Sequence, residues 1–233
     1  RRIMPLAPPY YSWSLNSDLV FDFDDRRADH YELFNARYVI APSGLDVPAF
    51  LRPLLVTRRY VLYEAPASGY VGFVALAERR GVVTQEELFT RNSAWMLGEG
   101  PARREHLRYD YPARAGTLGP GAPGCPGGGR VTETQVGPAR LDAQVECEAA
   151  ATLVFRTRYH PNWRVTVDGR AEPAFMVSPS YLAVSVSAGR HLVSARYEAA
   201  PLKTGLLLVG AVALLGTFAF YRWRDRLRGR EAR

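Results

Sequence analysis

The second half of the chain reads as a series of short alternations. Trp163, Val165 and Val167 alternate with Arg164 and Thr166, a period of two that gives a strand one apolar and one polar face. The same pattern predicts strands over 130–136, 140–147, 152–159, 181–187 and 191–198, and strands at such spacing predict a compact antiparallel β-sandwich. Asp168-Gly169 tolerates the positive dihedrals of a type I′ turn, so WRVTV should fold back into 170–175. Residues 187–190, SAGR, close the last hairpin.

The upstream pattern is mixed. From Asp29 onward DHYELFNA suits a short helix, RYVIAP a buried strand, VPAFLRPL a second short helix, and RYVLYEAP and GYVGFVALA two further strands. Thr84 and Glu87 form a capping box ahead of a helix ending near Leu97, with Gly98 placed to stop it. Residues 1–28 have little periodicity, and their acids Asp22, Asp24 and Asp25 read as a solvated loop rather than a calcium loop. GTLGPGAPGCPGGGR, 116–130, is too rich in glycine and proline for a helix or a central strand. It reads as a loop or linker, and it lacks the Gly-Lys-Ser/Thr of a phosphate-binding loop. The expected fold class is therefore α+β: a small α/β unit over 1–115, the linker, and a β-sandwich over 131–200.

Residues 204–221, TGLLLVGAVALLGTFAFY, carry no charge. With Leu202 and Trp223 at the ends they reach the roughly 20 residues that cross a bilayer. Phe218, Phe220, Tyr221 and Trp223 mark one boundary, and arginines begin at Arg222. The expectation is a transmembrane helix over 202–223 and a basic cytoplasmic tail over 224–233, with the bulk of the chain extracytoplasmic at the cell membrane. The partner this implies is the lipid bilayer. Much of the net charge of +7 lies in the last twelve residues, where six arginines from Arg222 onward face Asp225 and Glu231. The remaining arginines are interspersed with acids and form no stripe, which argues against nucleic acid as a partner.

The only two cysteines, Cys125 and Cys147, suit an oxidising exterior and are the disulfide candidates. Two cysteines without a nearby His supply too few ligands for zinc, so no metal and no cofactor is expected. The chain begins RRIMPLAPP, without an initiator Met or an export signal, and the expectation is the C-terminal part of a longer polytopic protein.

YHPNWRVTVDGR, 159–170, places His160 beside Trp163 and Asp168. His160 has no second metal ligand and no nucleophile motif around it, so the stretch reads as architecture and no catalytic residue is assigned. If exposed, Tyr159, Trp163 and Tyr181, with His160, could stack on and bind a sugar; aromatics at alternating strand positions are more often core.

YHPNWRVTVDGR, the later SYLAVSVSAGRHLVSARYE, and PLKTGLLL at the start of the apolar run together resemble the C-terminal region of bacterial polytopic membrane proteins of the YfhO-like group, classed with the GT-C-type glycosyltransferases. HYELFNARYVIAP followed by RYVLYEAP is similar to the extracytoplasmic part of such proteins. The resemblance implies sugar transfer from a polyprenyl-phosphate donor to a cell-envelope acceptor. Its catalytic acid is expected between N-terminal membrane helices outside these residues. This region would then support the transmembrane part of the same protein, or hold a glycan or polyprenyl-linked sugar. The competing class is a non-enzymatic surface protein anchored in membrane or cell wall: PLKTG, 201–205, resembles a sortase signal with its Leu and Pro exchanged.

Overall fold

Strands Val71–Gly81 (β4), Ala151–Arg158 (β9) and Tyr181–Val186 (β13) are largely apolar on both faces over 71–77, 151–155 and 181–184, and the computed structural model shows why. It describes residues 22–82, 84–110, 116–198 and 201–231; side chains in the C-terminal helix are described at 205–218, 220 and 222. The loop reading of 1–28 therefore lies outside the described residues over 1–21.

Three sheets organise the described residues. The first contains Tyr38–Pro42 (β1), Arg52–Val56 (β2) and Tyr60–Glu64 (β3), antiparallel in the order β1-β3-β2. The central sheet adds Glu105–Asp110 (β5), Gly116–Ala122 (β6) and Phe175–Val177 (β12) to the strands above, in the order β5-β12-β13-β9-β4-β6. A further β4–β5 pairing makes a ring of the five strands β4, β9, β13, β12 and β5. The outer sheet takes Arg130–Gly137 (β7), Arg140–Cys147 (β8), Trp163–Val167 (β10), Arg170–Glu172 (β11) and Gly189–Tyr197 (β14), in the order β11-β10-β14-β8-β7.

Alternation assigns the faces. Val71, Phe73, Leu153, Phe155, Leu182, Val184 and Val186 pack against Leu141, Ala143, Val145, Trp163, Val165, Val193 and Ala195 of the outer sheet, forming a sandwich core. The intervening Val74, Val154, Ala183 and Val177 pack instead on Leu33 of Ala28–Leu33 (α1) and on Trp95 and Met96 of Gln85–Leu97 (α2). A sheet covered on both faces needs apolar residues at every position, whereas the outer sheet shows its polar set, such as Gln144 and Arg164, to solvent. Helix α2 makes the crossover between β4 and β5, which run parallel. The N-cap half of its capping box is in place: Glu87 N–H donates to Thr84 Oγ1 at 3.1 Å. Gly98 ends it with extended backbone and a doubly shared N–H, not the left-handed form.

Three expectations need correction. VPAFLRPL holds no helix: a turn, Leu51 N–H to Pro48 O at 3.0 Å, leads into β2, whose Arg52 and Leu55 pair with Glu64 and Leu62 of β3. The run 116–130 is not a linker, since it contains edge strand β6 and one 3-10 turn, Pro126–Gly128. Edge pairing tolerates its proline, and Gly121 lets it approach β4 closely, because a Cβ there would lie 1.7 Å from Leu76 O. Nor does the chain divide at that run: β4 pairs with β9 and β5 with β12, so residues on both sides of it share one sheet. A compact unit runs to Arg196, and Tyr197–Arg233 is a second.

Cys125 and Cys147 are joined by a disulfide, Cα atoms 5.8 Å apart, which ties the loop after β6 to the end of β8. The asparagine-free turn at Asp168-Gly169 has φ of 51° and 79°, both positive as a type I′ turn requires. The C-terminal element is a helix, Pro201–Glu231 (α3), which continues past 223 through the basic segment. Among the described residues no helix is long and apolar enough to cross a membrane.

Candidate functional site

The four residues singled out for sugar contact do not gather on one surface. Trp163 is buried in the sandwich core, and its indole Nε1–H donates to Arg158 O at 3.1 Å. Tyr181 is buried on the opposite face of the central sheet, where its hydroxyl donates to Leu33 O at 2.9 Å and burial raises its pKa. Tyr159 is half-buried against the core, and His160 is exposed, its Nδ1 accepting the Asn162 N–H at 3.1 Å. Stacking needs an accessible ring face. Trp163 and Tyr181 have none to offer, and their polar atoms are satisfied by backbone carbonyls.

A different constellation brings chemistry-bearing groups together. The β10–β11 turn carries Asp168, β14 carries His191, and the hairpin between β13 and β14 carries Ser187. Asp168 Oδ2 lies 2.7 Å from His191 Nδ1, and Ser187 Oγ lies 3.1 Å from His191 Nε2. The hydrogen bond that His191 donates to Asp168 raises the His191 pKa, and that same bond, followed by the Leu192 N–H, lowers the carboxyl of Asp168. The sequence of groups is that of an acyl-transfer triad. Its surroundings are not, because Ser187 and the three residues after it are all exposed on a hairpin tip, whereas an oxyanion is stabilised by donors in a water-excluded site. The remaining contacts are structural: Asp168 Oδ1 accepts the Leu192 N–H at 2.8 Å, and the Asp168 N–H donates to Leu192 O at 2.8 Å. The arrangement clasps the β10–β11 turn to β14.

Two buried histidines are likewise engaged. His30 Nδ1 accepts the Asp24 N–H at 2.9 Å, which leaves Nε2–H to donate to Met96 O at 3.1 Å, and burial lowers its pKa. His106 donates from Nδ1 to Ser178 O at 2.5 Å, and burial pushes it down to about 4. Beside it Tyr109 donates to Asn92 Oδ1 at 2.9 Å, and Asn92 Nδ2 donates to Pro179 O at 3.1 Å. These neutral groups lock α2 to the loop before β13. Among the described residues no group of three or more His, Cys, Asp or Glu is placed to hold a metal ion.

The most buried ionic arrangement joins α1 to the central sheet. Glu32 Oε1 accepts from Arg156 Nη2 at 2.6 Å, Oε2 accepts the Ser68 N–H at 2.8 Å, and Arg156 Nη1 donates to Gly69 O. Burial lowers the Arg156 pKa and the Glu32 carboxylate opposes that shift. Neither this pair nor the Ser187–His191–Asp168 clasp was visible as a motif. Their members are distant in sequence, 124 positions for Glu32 and Arg156 and 23 for Asp168 and His191, so only the strand order reveals them.

No family model, curated protein or solved structure matches this chain.

Proposed function

We propose that this chain is the extracytoplasmic C-terminal part of a membrane glycosyltransferase-like protein that uses a polyprenyl-phosphate-linked sugar, and that its folded region supports the membrane part or holds the acceptor without carrying the chemistry. The reading of a supporting module rests on one observation. The ionisable and aromatic groups that could serve catalysis or sugar stacking are spent on the protein's own backbone: Trp163 on Arg158, Tyr181 on Leu33, His106 on Ser178, and Asp168 on Leu192. The membrane anchor rests on the uncharged run 204–221 within α3 and on the arginines that follow it. The glycosyltransferase assignment rests on the resemblance of YHPNWRVTVDGR and its neighbours.

The test uses membranes from cells that make the complete protein, supplied with a radiolabelled polyprenyl-phosphate sugar. Transfer above a vector control is expected, and Ser187→Ala, His191→Gln and His160→Ala should each leave transfer per folded molecule within about twofold. A loss of a hundredfold or more in any of them, with folding intact, refutes the non-catalytic role. No transfer above control removes the transferase reading and leaves the anchored surface protein.

A further inference from the structure

The small sheet leaves one face uncovered. Its inner face packs through Val39 and Tyr63 on Tyr31, Leu51 and Ala65 and buries Val61, while β2 is exposed at all five positions. Register assigns the other face: Tyr38 opposes Glu64, Ile40 opposes Leu62, Pro42 opposes Tyr60, and Arg52 and Leu55 oppose Glu64 and Leu62 from the other side. Paired residues project to the same side of a sheet. Tyr38, Ile40, Leu55 and Tyr60 are 59%, 68%, 58% and 53% exposed, an apolar strip across three adjacent strands. Contiguous exposure of this kind marks an interaction surface.

The polar groups around the strip identify what covers it. At one end Glu64 is held between Arg37 and Arg52, and the Arg37 guanidinium lies 5.6 Å from the centre of the Tyr38 ring. At the other end the β2–β3 turn presents Arg58 and Arg59, both exposed and neither in an ion pair among the described residues. Glu64 is thus the single carboxylate that register places on the face, against four flanking guanidinium groups. Tyrosines that are apolar in the ring and polar at the tip, aliphatics between them, and arginines whose stems lie flat while their heads reach for phosphate are the composition of a bilayer-interface surface. A second copy fits less well. Both outer strands carry a proline, Pro42 and Pro53, which weakens strand-to-strand addition, and the one carboxylate that a copy's strip would offer to Arg58 and Arg59, Glu64, is already held by Arg37 and Arg52.

We propose that the outer face of the small sheet docks on an anionic phospholipid surface, with the Ile40–Leu62–Leu55 strip in the interfacial layer and Arg58 and Arg59 on lipid phosphates. The inference rests on the membrane-anchored reading above, and the experiment separates the two.

The full chain is reconstituted into vesicles of phosphatidylcholine with 30% phosphatidylglycerol, or phosphatidylcholine alone, with a single environment-sensitive fluorophore at Leu55→Cys, Val136→Cys or Leu208→Cys. Val136 is an exposed apolar residue of the outer sheet, and Leu208 lies in α3. Lipids bearing a shallow spin label should quench the Leu55 probe at least twofold in the anionic vesicles and leave the Val136 probe unchanged. Arg58→Glu with Arg59→Glu should abolish most of that quenching, as should removal of the anionic lipid. Quenching at Leu208 without quenching at Leu55 overturns the docking and keeps the anchor. Quenching at Leu55 without quenching at Leu208 keeps the docking and removes the anchor. A Leu55 probe that is shielded from solvent yet unquenched by lipid, in a chain that crosslinks to itself, assigns the face to a second copy and overturns the proposal.

Discussion

Removing the guanidinium of Arg156 should be among the most damaging single changes available in this molecule. Its side chain is 8% exposed and that of Glu32 16%, so Arg156→Met leaves a carboxylate that folding has largely withdrawn from water. The nearest remaining cation, Arg104, is 3.6 Å away on a side chain that is 58% exposed, and it replaces little of the lost partner. The Gly69 carbonyl loses its donor in the same step. Breaking a buried pair by removing one member costs about 3–5 kcal/mol, against roughly 0.2–1 kcal/mol for a surface pair. Glu32→Gln is milder, about 1.5–3 kcal/mol, because the amide oxygen still accepts from Ser68 while Arg156 keeps Gly69 O. The double variant tests the pairing itself. Once one charge is gone, removing the other should cost less, giving a coupling of about 1–3 kcal/mol. Urea unfolding of the full chain in mild detergent, followed by tryptophan fluorescence, measures all four species. A loss below about 1 kcal/mol for Arg156→Met, or strict additivity in the double variant, would show that the junction is solvated and that α1 is held to the central sheet by its apolar contacts and the Tyr181–Leu33 hydrogen bond.

Three further outcomes follow from single contacts. Trp163→Ala should lose about 3–5 kcal/mol in the same urea experiment, while His160→Ala, at an exposed position, stays within about 0.5 kcal/mol. Gly129→Ala should destabilise strongly, because φ is +63° and a Cβ would sit 2.8 Å from Glu146 O and from the Phe73 ring; a melting temperature equal to the parent's would refute this. The Asp168–His191 clasp should depend on pH at both ends. The raised His191 pKa gives stabilisation that is complete below the ordinary histidine value of 6.5 and lost as pH rises through the raised value. The lowered Asp168 pKa gives stabilisation that is complete above 3.8 and lost as pH falls through the lowered value. Protection of the Leu192 amide in hydrogen exchange, corrected for intrinsic rates, should peak between those limits and flatten in Asp168→Asn.

Much of the fold was legible because local rules and tertiary packing agree. The period of two in 140–147 and 191–198, the Asp168-Gly169 turn and the Thr84 N-cap each specify one local conformation, and the structure contains each of them. VPAFLRPL misled because its apolar spacing suits a helix in isolation; the second half is instead drafted into β2 by pairing with β3 and by the Arg52–Glu64 ion pair. The glycine-rich run misled for a related reason. Glycine and proline forbid a central strand, yet an edge needs pairing on one side only, and there Gly121 is an advantage because it admits close backbone approach.

The division of the chain into an α/β unit and a sandwich failed for a reason that also bears on the site. β4 carries apolar residues at successive positions from Val71 onward, which announces a strand buried on both faces but does not say by what. The coverings come from opposite ends of the sequence: α1 and α2 on one face, the outer sheet on the other. Tyr181 illustrates the consequence. Read alone on an alternating strand, it is an aromatic that a sugar could meet; in the folded chain α1 lies over it and accepts its hydroxyl hydrogen bond at Leu33 O. Whether an aromatic is core or contact depends on what covers its face, and coverage is a long-range property. The outer face of the small sheet is the converse case, where RYVIAP reads as a buried strand although Tyr38, Ile40 and Pro42 meet solvent, as does Tyr60 at the start of the strand in RYVLYEAP. A surface whose residues look like core in the sequence and remain uncovered in the fold is where a partner has to be sought, and the flanking arginines are the reason an anionic one is proposed.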